Sequence, residues 1–84
     1  AEDASALLPL IEAYWRFERI EGFDADRIRA LLTGLLADPA RGAIWVACVD
    51  GRVSAYLLLV FVFSLEHQGL TAEIDELYVS PAQR

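Results

Sequence analysis

The segment Arg52–Ser64 restricts the possible folds of this chain more than any other. Its central run, Val53-Ser54-Ala55-Tyr56-Leu57-Leu58-Leu59-Val60-Phe61-Val62-Phe63, is aliphatic or aromatic at nearly every position. A strand with one face in water alternates apolar and polar residues. A strand apolar on both faces needs cover on both. The run therefore predicts the centre of a sheet packed by helices. Its longest apolar stretch, Ala55 to Phe63, is too short to cross a bilayer as a helix, which takes about 20 residues.

The flanks supply the rest of the sheet. Ala43 to Val49 reads as a strand, and Asp50-Gly51 behind it is a two-residue hairpin signal. Past Ser64, the turn Glu66-His67-Gln68-Gly69 leads into a third strand, Leu70 to Val79, and Pro81 ends it. Ahead of the strands the period changes. Leu7, Leu10, Ile11, Tyr14 and Trp15 share one helical face between Ala4 and Arg19, with Asp3 or Ser5 to cap it and Pro9 in the first turns. Gly22 breaks that pattern. Asp24 then caps a second helix striped by Ile28, Leu31, Leu32, Leu35 and Leu36, and Asp38-Pro39 stops it. The expectation is one α+β domain over residues 1–84, with two N-terminal helices packed on an antiparallel three-stranded meander.

Composition narrows the function classes. A chain that is 56% hydrophobic and 24% charged is globular and not disordered. A net charge of −6 opposes nucleic-acid binding, which needs clustered Lys and Arg, and is compatible with a cationic substrate. Cys48 is the only cysteine, so an internal disulfide is impossible and no metal cluster is expected. Without a basic region leading into a signal-type apolar stretch, no secretion or membrane insertion is expected, and the expected setting is a reducing cytoplasm.

Ile74-Asp75-Glu76-Leu77-Tyr78-Val79-Ser80-Pro81-Ala82-Gln83-Arg84 resembles the fourth strand of the GNAT superfamily of N-acetyltransferases and the approach to its coenzyme A loop. Arg84 stands where the family's Q/R-x-x-G-x-G/A signature begins. The two helices, the Asp50-Gly51 hairpin and the long strand after it are similar to the family's N-terminal order. Ser64-Leu65-Glu66, taken with the Ile74–Val79 segment, resembles a subgroup acting on small amines, including polyamines. The likeness covers about half of the family's fold. It implies that a first strand, the phosphate loop with its helix, and the later strands lie outside residues 1–84.

The resemblance implies an acetyl-CoA-dependent transferase acting on a primary amine of a small molecule. Such a reaction needs a base for the ammonium proton, donors for the developing oxyanion and an acid for the leaving thiolate. Leu77, Tyr78 and Val79 are implied to pair through their backbone with the pantetheine arm, and Arg84 to begin the phosphate cradle. The candidate bases are Glu73, Asp75 and Glu76. Glu73 and Asp75 are two apart on a strand and share a face, whereas Glu76 points to the other face unless a bulge re-aims it. The plainer reading is that these acids face solvent at a sheet rim. Tyr14, Phe17 and Glu18, with Trp15, close the first helix where relatives form the acceptor wall. Glu66 is a candidate for binding the substrate ammonium, and His67 a candidate second base. Trp45 and Tyr56 are expected to pack the sheet, and Cys48 to be inert in its apolar strand.

Two alternatives stay open from the residues alone. One is a protein or peptide N-acetyltransferase of the same fold. The other is a non-catalytic half-domain that forms a homodimer through the unpaired edge of its last strand. The cradle and the tyrosine acid of many relatives fall outside these residues, so the chain by itself is expected to be inactive.

Overall fold

The computed structural model describes residues 2–84, with side chains from Ala4 onward. Helix α1 spans Glu2–Phe17 and α2 spans Ala25–Leu36. The strands are β1 (Gly42–Val49), β2 (Arg52–Ser64) and β3 (Gly69–Val79), and a single 3-10 turn follows at Pro81–Gln83. The sheet order is β1-β2-β3, antiparallel throughout, so β2 is central and both β1 and β3 are edges. This is the expected α+β meander.

The local signals act as their chemistry requires. Asp24 sits in extended backbone, and its carboxylate accepts from the amides of Asp26 and Arg27, satisfying donors that the first turn of α2 leaves free. Asp50 and Gly51 both take positive φ, 52° and 77°, the turn whose twist matches a tight hairpin, and Val49 pairs with Arg52 across it. Helix α1 begins earlier than its apolar pattern suggests. Asp3 and Ser5 therefore lie inside it and do not cap it, and Pro9 falls in its interior.

The core forms where both helices meet one face of the sheet. Ala4, Leu7 and Ile11 of α1 and Leu32 of α2 pack with Tyr56 of β2 and Tyr78 of β3. Tyr56 and Tyr78 are directly paired across the strands, which puts both rings on the same face. Cover on both faces of β2 is not what these residues build. Trp45, Leu57 and Leu77 are cross-strand partners one step out of phase with the tyrosines, so they line the opposite face. Trp45 and Leu77 are each 57% exposed there, alongside exposed Phe63, Leu70 and Ile74. Trp45 thus lies in the open, unlike Tyr56, and Cys48 on edge strand β1 is exposed as well.

Candidate active site

One irregularity in β3 shapes the site. Leu58 pairs with Glu76 and Leu59 with Ile74, so Asp75 is an extra residue opposite no partner, a β-bulge. The bulge resets the alternation. It breaks the two-residue spacing that would pair Glu73 with Asp75, and it puts Glu76, which shares the helix-covered face with Tyr78, in phase with Glu73 instead. Glu73, opposite Val60, is exposed.

Glu76 is held there by two donors from distant parts of the chain. The indole N–H of Trp15 on α1 donates to Oε2 at 3.0 Å, and the Tyr56 hydroxyl on β2 donates to Oε1 at 2.8 Å. Burial raises the carboxyl's pKa above its ordinary value. The Tyr56 and Trp15 donors pull it back, and the neighbouring Asp75 adds to the rise. The result is a half-buried carboxylate, fixed in orientation and more basic than a surface glutamate. Tyr56 is pushed far up, first by burial and then by its bond to Glu76, so its hydroxyl stays protonated and keeps donating. Tyr14 is also raised, by burial first and then by Glu18, Glu76 and Asp75. Its ring stands edge-on to Tyr56 at 6.4 Å and to Tyr78 at 5.8 Å, which closes the aromatic wall around the carboxylate.

Beside this wall opens a cleft of about 690 Å³, lined by Tyr14, Phe17 and Glu18 from α1 and by Leu77, Tyr78, Val79 and Arg84 from β3 and its extension. The acceptor-wall candidates and the cofactor candidates therefore meet in one depression. The Arg84 guanidinium lies 5.5 Å from the Phe17 ring centre and 5.4 Å from that of Tyr78, and its Nε donates to the Val79 carbonyl at 2.9 Å. Along the same stretch, the outer edge of β3 faces no strand among the described residues. Its free N–H and C=O groups can hydrogen-bond an extended, amide-bearing ligand.

Glu66 and His67 are not brought to this cleft. They occupy the exposed turn between β2 and β3, and about 20 Å of strand separates that turn from Glu76. The His67 Nδ1 lies 2.9 Å from the Ser64 hydroxyl, a contact within the turn. The bonds to Glu76 from Trp15, expected at the acceptor wall, and from Tyr56, expected to pack the sheet, are what the residue pattern missed. Among the described residues, no group of three or more His, Cys, Asp or Glu could hold a metal ion, and no helix is long and apolar enough to cross a membrane.

Solved structures match this fold over nearly the whole chain. An integron cassette protein from the mobile metagenome of Cole Harbour Salt Marsh superimposes with a TM-score of 0.89 at 26% identity, over 99% of this chain and 54% of that one. A possible acetyltransferase from Clostridium difficile 630 gives 0.86 at 20% identity, covering 99% and 55%. A predicted acetyltransferase with acetyl-CoA from Clostridium acetobutylicum gives 0.80 at 19% identity, covering 99% and 57%. The chain thus spans about half the length of the structures it matches. Its helices and sheet correspond to the N-terminal half of a GNAT-type fold. No protein-family model and no curated protein matches the sequence.

Proposed function

We propose that the protein takes part in acetyl-CoA-dependent transfer of an acetyl group to the primary amine of a small molecule. The observation behind this reading is Glu76, a raised, doubly anchored carboxylate set by a bulge beside an open strand edge and an aromatic cleft. The likeness in fold to acetyltransferases adds support. An amine reaches such a site as an ammonium ion and is no nucleophile until a proton leaves. Glu76 is the base for that proton, taken directly or through a water. Trp15 and Tyr56 orient its two oxygens, and Asp75 adds negative charge that draws the cation in.

The residues on β3 fit the cosubstrate's arm. The outer edge from Leu77 to Val79, where the Val79 carbonyl already accepts from Arg84 Nε, is the stretch that an extended pantetheine chain pairs with, and a backbone N–H on it polarises the thioester carbonyl. Acetyl-CoA supplies the activated acetyl group. Residues 1–84 contain no glycine-rich turn opening a helix after β3, so the pyrophosphate cradle is not among them. A titration of the protein with acetyl-CoA, followed by amide NMR, tests this half of the site. The Leu77, Tyr78 and Val79 amides are expected to shift together. Shifts confined to β1, or none at saturating acetyl-CoA, would contradict it.

A second reading is favoured by a separate observation. The sheet face bearing Trp45, Phe63, Leu70, Ile74 and Leu77 is broad, apolar and uncovered, and β3 beside it is an open edge. On this reading the chain is a half-domain that self-associates through that edge and face. Light scattering should then give twice the 9.3 kDa chain mass, and a monomer at high concentration removes the reading.

A further inference from the structure

A separate cavity lies on the other side of Glu76 from the cleft. It opens between α1 and α2, has a volume of about 200 Å³, and rests on Leu58 of β2. Trp15, Ile28 and Leu31 line it with other aliphatic side chains, and the adjacent acids Asp75 and Glu76 are its only charged lining. Leu31 is 60% exposed at its mouth, whereas its neighbour Leu32 is buried. The cavity is therefore apolar apart from one adjacent pair of acids.

That distribution selects a ligand class. Glu76 already accepts from Trp15 and Tyr56, yet a carboxylate has about four acceptor positions, so it retains room for an incoming cation. An ammonium group beside these acids regains the hydrogen bonds it loses on leaving water, and an apolar body fills the cavity and covers Leu31. A polyamine fits badly. Its inner ammonium groups would lie against Leu58 and Ile28 with no charged partner, which is costly. A peptide would bring unpaired backbone groups to the same walls. The volume falls below the roughly 300–1,000 Å³ of sites for drug-sized ligands, which suits a body no larger than a ring with a short tail.

We propose that this cavity is a subsite for a primary monoamine with an apolar body, an alkyl- or arylalkylammonium ion. That its amine is the acetyl acceptor rests on the transfer reading above, whereas the ligand class rests on the cavity itself. The ligand class separates the protein from the polyamine-type subgroup that the Ser64-Leu65-Glu66 segment resembles.

Tryptophan fluorescence tests it without acetyl-CoA. The chain has two tryptophans, and Trp45 lies on the opposite sheet face, so Trp45→Phe leaves Trp15 as the sole reporter. Titration with 2-phenylethylamine should give a saturable change in Trp15 emission. The neutral isostere 2-phenylethanol should bind at least about tenfold more weakly, since it forms no charge-assisted bond to the carboxylates. Spermidine should also bind at least about tenfold more weakly, for want of inner partners. Leu31→Lys, a surface change that leaves the core in place, should weaken amine binding by a similar factor with an unaltered circular dichroism spectrum. Equal binding of the alcohol, equal or tighter binding of spermidine, indifference to Leu31→Lys, or no saturable change each overturns the assignment. Saturable amine binding without acetylation would remove the transfer reading and keep the cavity. Acetylation of spermidine without 2-phenylethylamine binding would do the reverse.

Discussion

In protein that carries the phosphate cradle as well as residues 1–84, Glu76→Gln is expected to lower the rate of amine acetylation by about 10²–10⁴-fold, the range that a positioned general base contributes. The substitution keeps the side chain's size and one acceptor for Trp15 or Tyr56, so the fold should change little, while binding of an ammonium acceptor should weaken with the lost charge. It removes the basicity. The pH profile gives an independent signature. Burial raises the Glu76 pKa, and a base works only when ionised, so activity should fall as pH drops through a value above the ordinary glutamate range. That acid limb should vanish in Glu76→Gln. Glu73→Gln should leave both rate and limb near wild type, because Glu73 is exposed and lies outside the two-donor arrangement. A loss of less than tenfold in Glu76→Gln, or a greater loss in Glu73→Gln or Asp75→Asn, would assign the base elsewhere.

The second large effect concerns stability. Leu7 is 2% exposed and packs in the cluster that contains Tyr56 and Tyr78. Leu7→Ala removes buried methyl groups and leaves a cavity between α1 and the sheet, which costs about 2–5 kcal/mol. A small domain has only about 5–15 kcal/mol in total, so the loss is a large share of it. For a chain of this size the melting temperature should fall by roughly 10–30 °C. Urea unfolding should show a lower midpoint with an unchanged slope. A cost below about 1 kcal/mol would mean that α1 is not docked on the tyrosine face. The change also reaches the site, because the same cluster holds Tyr56, and Tyr56 holds Glu76.

The residues differ in how much of this they announce. Asp24 and Asp50-Gly51 were legible because a cap and a hairpin turn depend on a few neighbours only. The helix stripes were legible for the same reason, since Leu7, Ile11 and Leu32 repeat at helical spacing. The apolar strand β2 predicted cover on both faces, and these residues build it on one. It could not say what covers the second, and both helices of this chain occupy the first. A bulge re-aiming Glu76 was readable only as a condition; its place at Asp75 is settled by pairing with Leu58 and Leu59 and not by local preference. With it went the orientation of Glu76, and the bond from Trp15 spans 61 positions that no local pattern connects. Tyr14, Phe17, Glu18 and Arg84 line one cleft, a convergence of residues up to 70 positions apart that no local pattern announces. Glu66 follows the likeness in sequence, yet lies at the far end of the sheet.

The most direct measurement is acetyl transfer itself. Purified protein that carries the phosphate cradle as well as residues 1–84 is incubated with acetyl-CoA and a panel of small primary amines, with peptide amines alongside, and the products are read by mass spectrometry. The predicted result is an N-acetylated small amine that forms only with acetyl-CoA and is lost in Glu76→Gln. Product levels unchanged by Glu76→Gln, or acetylation confined to the peptides, would contradict it.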